Sequence, residues 1–316
     1  MKKSFSSLVN ILIEANSLYT KFPILIDCCA RFLSLRHYNV TERDKLCISC
    51  IKKYCDTSFC CYDSKEERYT DSEKCCITEN KTLWTYWNKG YYNAPELVKK
   101  CLDSSKAVAN KMGWDFILLS EETLKNYIIL PSYIEDKHKR NIIGEAMYSD
   151  IIRVTLLHKY GGAWADATCY FSNSIPQTIL SQPMFFFRSP LFNNTHLHVG
   201  SNWFLLAKKN NLTINTIRIA LLRYWKDNNQ PIDYYIFHLL MYYIVNNIIC
   251  CKKEFEKMPY FSNQTPHILQ SSFKEKFDED VYANILSSCF VHKLTYKGLL
   301  QFSEDSILKH FLRENL

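Results

Sequence analysis

The chain has 316 residues, of which 47% are hydrophobic and 15% aromatic, a composition that supports a buried core and excludes a disordered protein. Its formal charge is +7, but the Lys and Arg residues are dispersed with no aromatic-basic module among them, which argues against a nucleic-acid partner. The charge leaves open plain solubility or attraction to nucleotide diphosphates and an anionic membrane surface.

Residues 1–79 read as a cysteine-rich helical extension. Leu8 and Leu12 begin an apolar face suited to core packing or to a membrane surface. Pro23 fits the first turn of a helix over Ile24 to Leu35. Thr41 and Asp44 resemble a capping box leading into Cys47, Ile48, Ile51 and Tyr54, and the polar stretch from Asp56 to Asn80 reads as a linker. Nine of the 14 cysteines fall between Cys28 and Cys76. Cys47 and Cys50 form a single C-x-x-C, whereas a structural zinc site needs a second pair or histidines, so reduced thiols, zinc and disulfides all stay open. Asn10 and Glu14 interrupt any signal-peptide core after Lys2 and Lys3. No uncharged apolar run reaches the ~18 residues of a membrane span; even Tyr234 to Cys251 carries His238, Asn246 and Asn247. A cytoplasmic protein is expected.

An α/β unit is expected over residues 80–300, with a short helical tail over 301–316. Thr82 to Trp87 is an aromatic strand, followed by an Asn88-Lys89-Gly90 loop. Pro95 opens a helix with Leu97, Val98, Cys101, Leu102, Val108 and Met112 on its apolar face, stopped by Gly113. Trp114 to Leu119 is a second strand, Lys139 to Lys159 a long helix, and Ala163 to Phe171 a third strand. Strands separated by helices predict a parallel Rossmann-like sheet, whose ligands sit at the carboxyl ends of the strands, near Trp87 and Asp166. Further on, Met184 to Arg188 and Ser201 to Ala207 read as strands. Asn211 to Trp225, Asp233 to Cys250 and Tyr282 to Cys289 read as helices.

Two polar features interrupt this apolar pattern. Asp150 and Arg153 lie three apart on the long helix, either as a buried ion pair or as groups aimed into a pocket. After Gly161 and Gly162, alternation puts Trp164, Asp166, Thr168 and Tyr170 on one strand face and Ala163, Ala165, Ala167 and Cys169 on the other. Asp166 is then a strand-end carboxylate bonded to backbone N–H groups, or one that meets a metal or a ribose hydroxyl.

The combination Ser149-Asp150-Ile151-Ile152-Arg153 with Tyr160-Gly161-Gly162-Ala163-Trp164-Ala165-Asp166-Ala167-Thr168 resembles the DxD-containing sugar transferases of glycosyltransferase family 32. It is closest to their branch of capsular polysaccharide synthesis proteins, which read GG-x-W-x-D-A-T here. The resemblance runs from about Lys81 to Lys297 and implies a GT-A-like fold that binds a nucleotide sugar. It implies that Trp87, with Trp84 as the alternative, stacks on the base beside Asn88, and that Asp150 and Arg153 grip the donor sugar. Asp166 matches the first Asp of D-x-D, while Thr168 replaces the second, a departure that puts direct metal ligation in doubt. Trp164 and Thr168 share that donor-facing side.

A divalent metal, Mn²⁺ or Mg²⁺, is expected with Asp166 and His292 as ligands, His292 being otherwise a structural histidine. Lys293 and Lys297 would meet the diphosphate, and Asn202 and Trp203 would form part of the donor or acceptor wall. Tyr234 and His238 read as core rather than acceptor site, and Arg218 and Arg223 as a solvated face. The family is retaining, so the implied activity transfers a sugar, expected from a UDP-sugar, to a capsule or lipopolysaccharide acceptor on a lipid carrier at the inner face of the inner membrane. Two other readings stand: a zinc or interaction module on a degenerate transferase, and an enzyme that glycosylates a protein.

Overall fold

The computed structural model describes residues 40–55, 80–189, 197–298 and 302–314. The expected helices near Leu8 and over Ile24 to Leu35, the stretch 56–79, and Cys28, Cys29, Cys60, Cys61, Cys75 and Cys76 lie outside the described residues.

The centre is a five-stranded mixed sheet in the order β2-β1-β3-β6-β5, formed by β1 (Thr82–Tyr86), β2 (Asp115–Leu119), β3 (Gly162–Ala165), β5 (Met184–Arg188) and β6 (Gly200–Ala207). β4 (Cys169–Phe171) and β7 (Val291–Lys293) pair antiparallel in a second, two-stranded sheet. β1 runs parallel to β2 and β3, as the β/α alternation predicts. β6 runs antiparallel to β3 and to β5, so the sheet is mixed rather than wholly parallel. β5 ends at Arg188 and β6 begins at Gly200, a connection shorter than the dozen or more residues a parallel crossover needs. Helices flank this sheet, consistent with the expected GT-A-like Rossmann-type fold.

β1 is buried at every position, the pattern of a strand covered on both faces. α1 (Val40–Ile51) begins the described helices, and α2 (Glu96–Met112) ends as expected at Gly113, with a left-handed φ of 66°. The long helix expected over Lys139 to Lys159 starts later, as α4 (Glu145–Tyr160), and a separate short helix, α3 (Ser132–Lys139), precedes it. Asn141 at φ 56° turns the chain between them, a conformation asparagine tolerates, and extended Gly144 caps α4. α5 (Leu212–Asp227) is capped by Asn211, whose side chain accepts from Ile214 N. The helix expected over Asp233 to Cys250 is divided at Ile248 into α6 (Ile236–Asn247) and α7 (Ile249–Lys257). α8 (Glu279–Ser287) and α9 (Ile307–Arg313) follow, the latter in the expected helical tail.

The single strand expected over Ala163 to Phe171 is also two. β3 stops at Ala165, where Asp166 N donates to Trp203 O at 2.8 Å, and Cys169 N closes a turn onto Asp166 O at 2.8 Å. Asp166, Ala167 and Thr168 therefore form a turn at the carboxyl end of β3, between the two sheets. The glycines before β3 do more than end α4. A Cβ on Gly162 would lie 2.3 Å from Thr82 O, and one on Gly161 would lie 2.1 Å from Asn80 Oδ1. Their absent side chains let β3 close against the start of β1.

α1 and the turn after it belong to the same hydrophobic core as the sheet. Cys47, Cys50, Ile51, Tyr54 and Cys55 are all buried there. Burial raises the Cys50 thiol and pushes Cys55 up to about 12, so both stay protonated at neutral pH. Tyr54 meets Tyr224 of α5 edge to face at 5.5 Å, and its hydroxyl accepts from Asn228 Nδ2. Among the described residues no helix is long and apolar enough to cross a membrane.

Candidate functional site

Three elements converge beyond the carboxyl end of β3. α4 carries Asp150 and Arg153 on its buried face, β6 carries Ser201, Asn202 and Trp203, and β7 carries Lys293. With Asp166 they line a pocket of about 580 Å³, closed on its other side by Tyr234, Tyr235, His238 and His267. A volume of that size suits a small ligand.

Arg153 organises the floor. Its Nη2 lies 3.2 Å from Asp150 Oδ1 and 3.2 Å from Asp166 Oδ1, its Nη1 donates to Asn202 O at 2.6 Å, and Nη2 donates to Ser149 Oγ at 2.8 Å. The guanidinium also stands 5.2 Å from the Trp164 ring centre. Asn202 Nδ2 donates to Asp150 Oδ1 at 2.8 Å. Asp166 receives Trp164 Nε1 on Oδ1 at 3.0 Å and the Lys293 ammonium on Oδ2 at 2.8 Å. The same ammonium donates to Thr168 Oγ1 at 2.7 Å. Asp150 and Arg153 are thus both an ion pair and pocket lining, and the two sequence readings merge.

The two carboxylates differ in electrostatics. Burial pushes Asp150 up to about 7, against the pull of Arg153 and Asn202. Asp166 is also pushed up by burial, but Lys293 and Arg153 outweigh this and hold it below the usual carboxylate range. Burial works against the charge on Lys293, and Asp166 restores it, so the amine stays above its ordinary value. Near neutral pH the site holds an ionised Asp166 flanked by two cations, and Asp150 is poised to exchange a proton.

Other expected residues fall elsewhere. Trp84 is fully buried in β1 between β2 and β3, and its Nε1 donates to Gly161 O at 3.0 Å, so it is a core residue that no donor base can reach. Trp164 is likewise enclosed and acts on Asp166 and Arg153 rather than on a ligand. Trp87 lies just past the end of β1, half-buried, edge to face with Tyr296 at 5.5 Å. It packs beside Ala167, on the far side of the Asp166 turn from the pocket. Asn88 Nδ2 donates to Glu145 Oε1 at 3.1 Å, tying the loop after β1 to the start of α4. Lys297 is exposed and outside the pocket lining.

His292 does not serve as a metal ligand in this arrangement. Alternation along β7 sends Lys293 to the pocket and His292 the other way, where its Nε2 lies 3.1 Å from Ser172 Oγ and burial lowers its pKa to about 4. Both oxygens of Asp166 are engaged, Oδ1 by Arg153 and Oδ2 by Lys293, and Thr168 faces the same ammonium. Tyr234 and His238, read from sequence as core, line the pocket instead, and Tyr234 is 65% exposed. Both α6 and its lead-in turn sit at the rim, a placement that four-residue spacing alone does not reveal. Ser149, Ser201, Tyr235 and His267 carry no sequence signal that separates them from ordinary polar and aromatic positions.

A match to the family described as capsular polysaccharide synthesis protein covers residues 34–311. The "Probable glycosyltransferase FCK3" of Fusarium pseudograminearum is 25% identical over 170 residues, 47% of this chain and 40% of that protein. The "O-glycosyltransferase PaGT" of Phomopsis amygdali is 25% identical over 180 residues, 50% of this chain and 38% of that protein. The chain thus covers about two fifths of the length of these curated relatives. The solved structure named "PaToxG Glycosyltransferase" is a distant likeness, with a TM-score of 0.38 and 14% identity over 68% of this chain and 83% of that one. The family match takes in α1, both sheets and every pocket residue, and the chain belongs to the capsular polysaccharide synthesis protein family.

Proposed function

We propose that the protein is a retaining glycosyltransferase that moves a sugar from a nucleotide sugar, a UDP-sugar, to a surface polysaccharide or lipopolysaccharide acceptor. The observation that carries this reading is the convergence of Asp150, Arg153, Asp166 and Lys293 on one pocket. A sugar needs carboxylate and amide partners for its hydroxyls, and Asp150 with Asn202 supplies them. A departing diphosphate needs positive charge aimed at it, and Lys293 with Arg153 supplies that. Trp87 and Tyr296, across the Asp166 turn, offer an aromatic face for the base. Exposed Tyr234 and Tyr235 at the rim suit a carbohydrate acceptor, whose ring faces stack on aromatics.

In the reaction, the bond from the anomeric carbon to the phosphate oxygen breaks as the bond to the acceptor oxygen forms on the same face. The acceptor's proton passes to the departing phosphate oxygen. Arg153, fixed by four acceptors, orients Asp150 and Asp166 without itself moving. The polysaccharide acceptor is taken from the family description, which names capsular polysaccharide synthesis.

Calorimetric titration with UDP-, GDP- and CDP-sugars tests the proposal. One UDP-sugar is expected to bind, to be hydrolysed slowly to UDP in the absence of acceptor, and to lose roughly tenfold or more in affinity in Asp150→Asn or Asn202→Ala. If no nucleotide sugar binds at any concentration tested, the proposal fails.

A further inference from the structure

Lys293 lies between Asp166 and Thr168, the two residues at the D-x-D spacing. Its Nζ lies 2.8 Å from Asp166 Oδ2 and 2.7 Å from Thr168 Oγ1, bridging the two residues at that spacing. Two carboxylates around a divalent cation make a neutral group. One carboxylate and one hydroxyl around an ammonium also make a neutral group, so Thr168 and Lys293 compensate one another. The arrangement is rigid: Lys293 pairs with Cys169 across the β4–β7 ladder, and Leu294 N donates to Thr168 O at 2.9 Å. An ammonium has three N–H donors, and Asp166 and Thr168 use two. The third is left for the pocket, which Lys293 lines with 19% of its side chain exposed. Arg153 stands on the other oxygen of Asp166, so two fixed cations already face the position of a diphosphate.

We propose that the Lys293 ammonium, held between Asp166 and Thr168, takes the place of the divalent cation, and that the protein binds nucleoside diphosphates without metal. This rests on the nucleotide-sugar reading above. A divalent cation at Asp166 would have to displace the ammonium or sit against it, like charge to like charge.

The full chain is titrated calorimetrically with UDP, GDP and CDP, once in EDTA and once in excess Mn²⁺. The best-bound diphosphate is expected to have the same Kd within about threefold in both conditions. Lys293→Met is expected to weaken it roughly 10- to 100-fold, the worth of a charge-assisted hydrogen bond, while Lys293→Arg keeps most of the affinity. Circular dichroism and melting establish that each variant is folded; if Lys293→Met is not, the wild-type comparison and Lys293→Arg decide. Binding abolished by EDTA and restored by Mn²⁺ overturns the inference and leaves the nucleotide-sugar reading standing. Undiminished binding by folded Lys293→Met also overturns it. No binding of any diphosphate in either condition overturns both.

Discussion

Asp150 and Asp166 share one guanidinium, yet their surroundings drive them apart. Asp150 is the more buried of the two carboxylates and is raised to about 7 by burial, whereas Lys293 and Arg153 keep Asp166 ionised. Separated titration of neighbouring carboxylates is a pattern of functional sites. It has a stability consequence with a definite sign. The folded Asp150 holds its proton more tightly than an unfolded aspartate does, so its contribution is full below about pH 4 and is lost as pH rises through about 7. Urea unfolding at pH 5 and pH 8 is expected to show the wild type losing roughly 2–3 kcal/mol across that window from this group, and Asp150→Asn losing none of it. A wild type and variant with identical pH profiles would refute the assignment. Asp150, Arg153 and Asp166 were legible because they are charges set in apolar runs. The resemblance placed the base-stacking Trp at Trp87 with Trp84 as the alternative, but that Trp84 is enclosed was not legible, since only the neighbouring strands decide it.

At the level of the element, the Gly161-Gly162 step sets where β3 lies. Gly161 has φ 70° and ψ −163°, a region open essentially to glycine alone, and Gly162 has φ 96°. Replacing Gly162 by alanine combines that strain with a Cβ 2.3 Å from the carbonyl of Thr82. Gly162→Ala is expected to cost roughly 2–4 kcal/mol in chemical denaturation and to displace Asp166, lowering donor binding as well. Normal stability and binding in that variant would show that β3 tolerates a shift. The positive φ was predictable from a Gly-Gly pair after an apolar helix. The close approach to β1 was not, because it depends on residues 80 positions upstream. The start of α4 at Glu145 rather than Lys139 and the division at Asp166 escaped the sequence reading for a related reason. Ile142 and Ile143 before α4, and Ala167 and Cys169 beyond β3, continue the apolar pattern past each boundary, and the hydrogen bonds that set those boundaries come from the turn itself or from β6.

Across the whole molecule, α1 is part of the core rather than an appendage. Ile51 is fully buried in the cluster that also holds β1 and β3, and Tyr54 bonds to Asn228 beside α5. Ile51→Ala is expected to lower the unfolding free energy by roughly 2–5 kcal/mol, as for other buried aliphatic truncations. Unfolding measured by tryptophan fluorescence should shift as one cooperative transition. A variant that melts only part of the molecule would make α1 an independent unit. The same packing explains why Cys47 and Cys50, three apart on α1, are buried thiols rather than exposed ligands. The pocket is likewise a property of the whole: Asp150, Asp166, Asn202, Tyr234 and Lys293 come from five separate stretches of chain.

The amino-acid sequence by itself determined the α/β alternation, the strands β1 and β2, the glycine stop of α4, and the place of Asp150, Arg153 and Asp166 as charges within apolar stretches. These are local signals, carried by periodicity, by backbone preference or by a charge where a hydrophobe is expected. Only the tertiary structure decided that β5 and β6 return antiparallel, that His292 faces away from the pocket, and that Lys293 reaches Asp166 and Thr168. Each of those depends on which distant segment packs beside which. Register on β7 sends neighbouring side chains to opposite faces, so one position in 292 and 293 meets the pocket and the other the interior, and the pairing with β4 makes that choice.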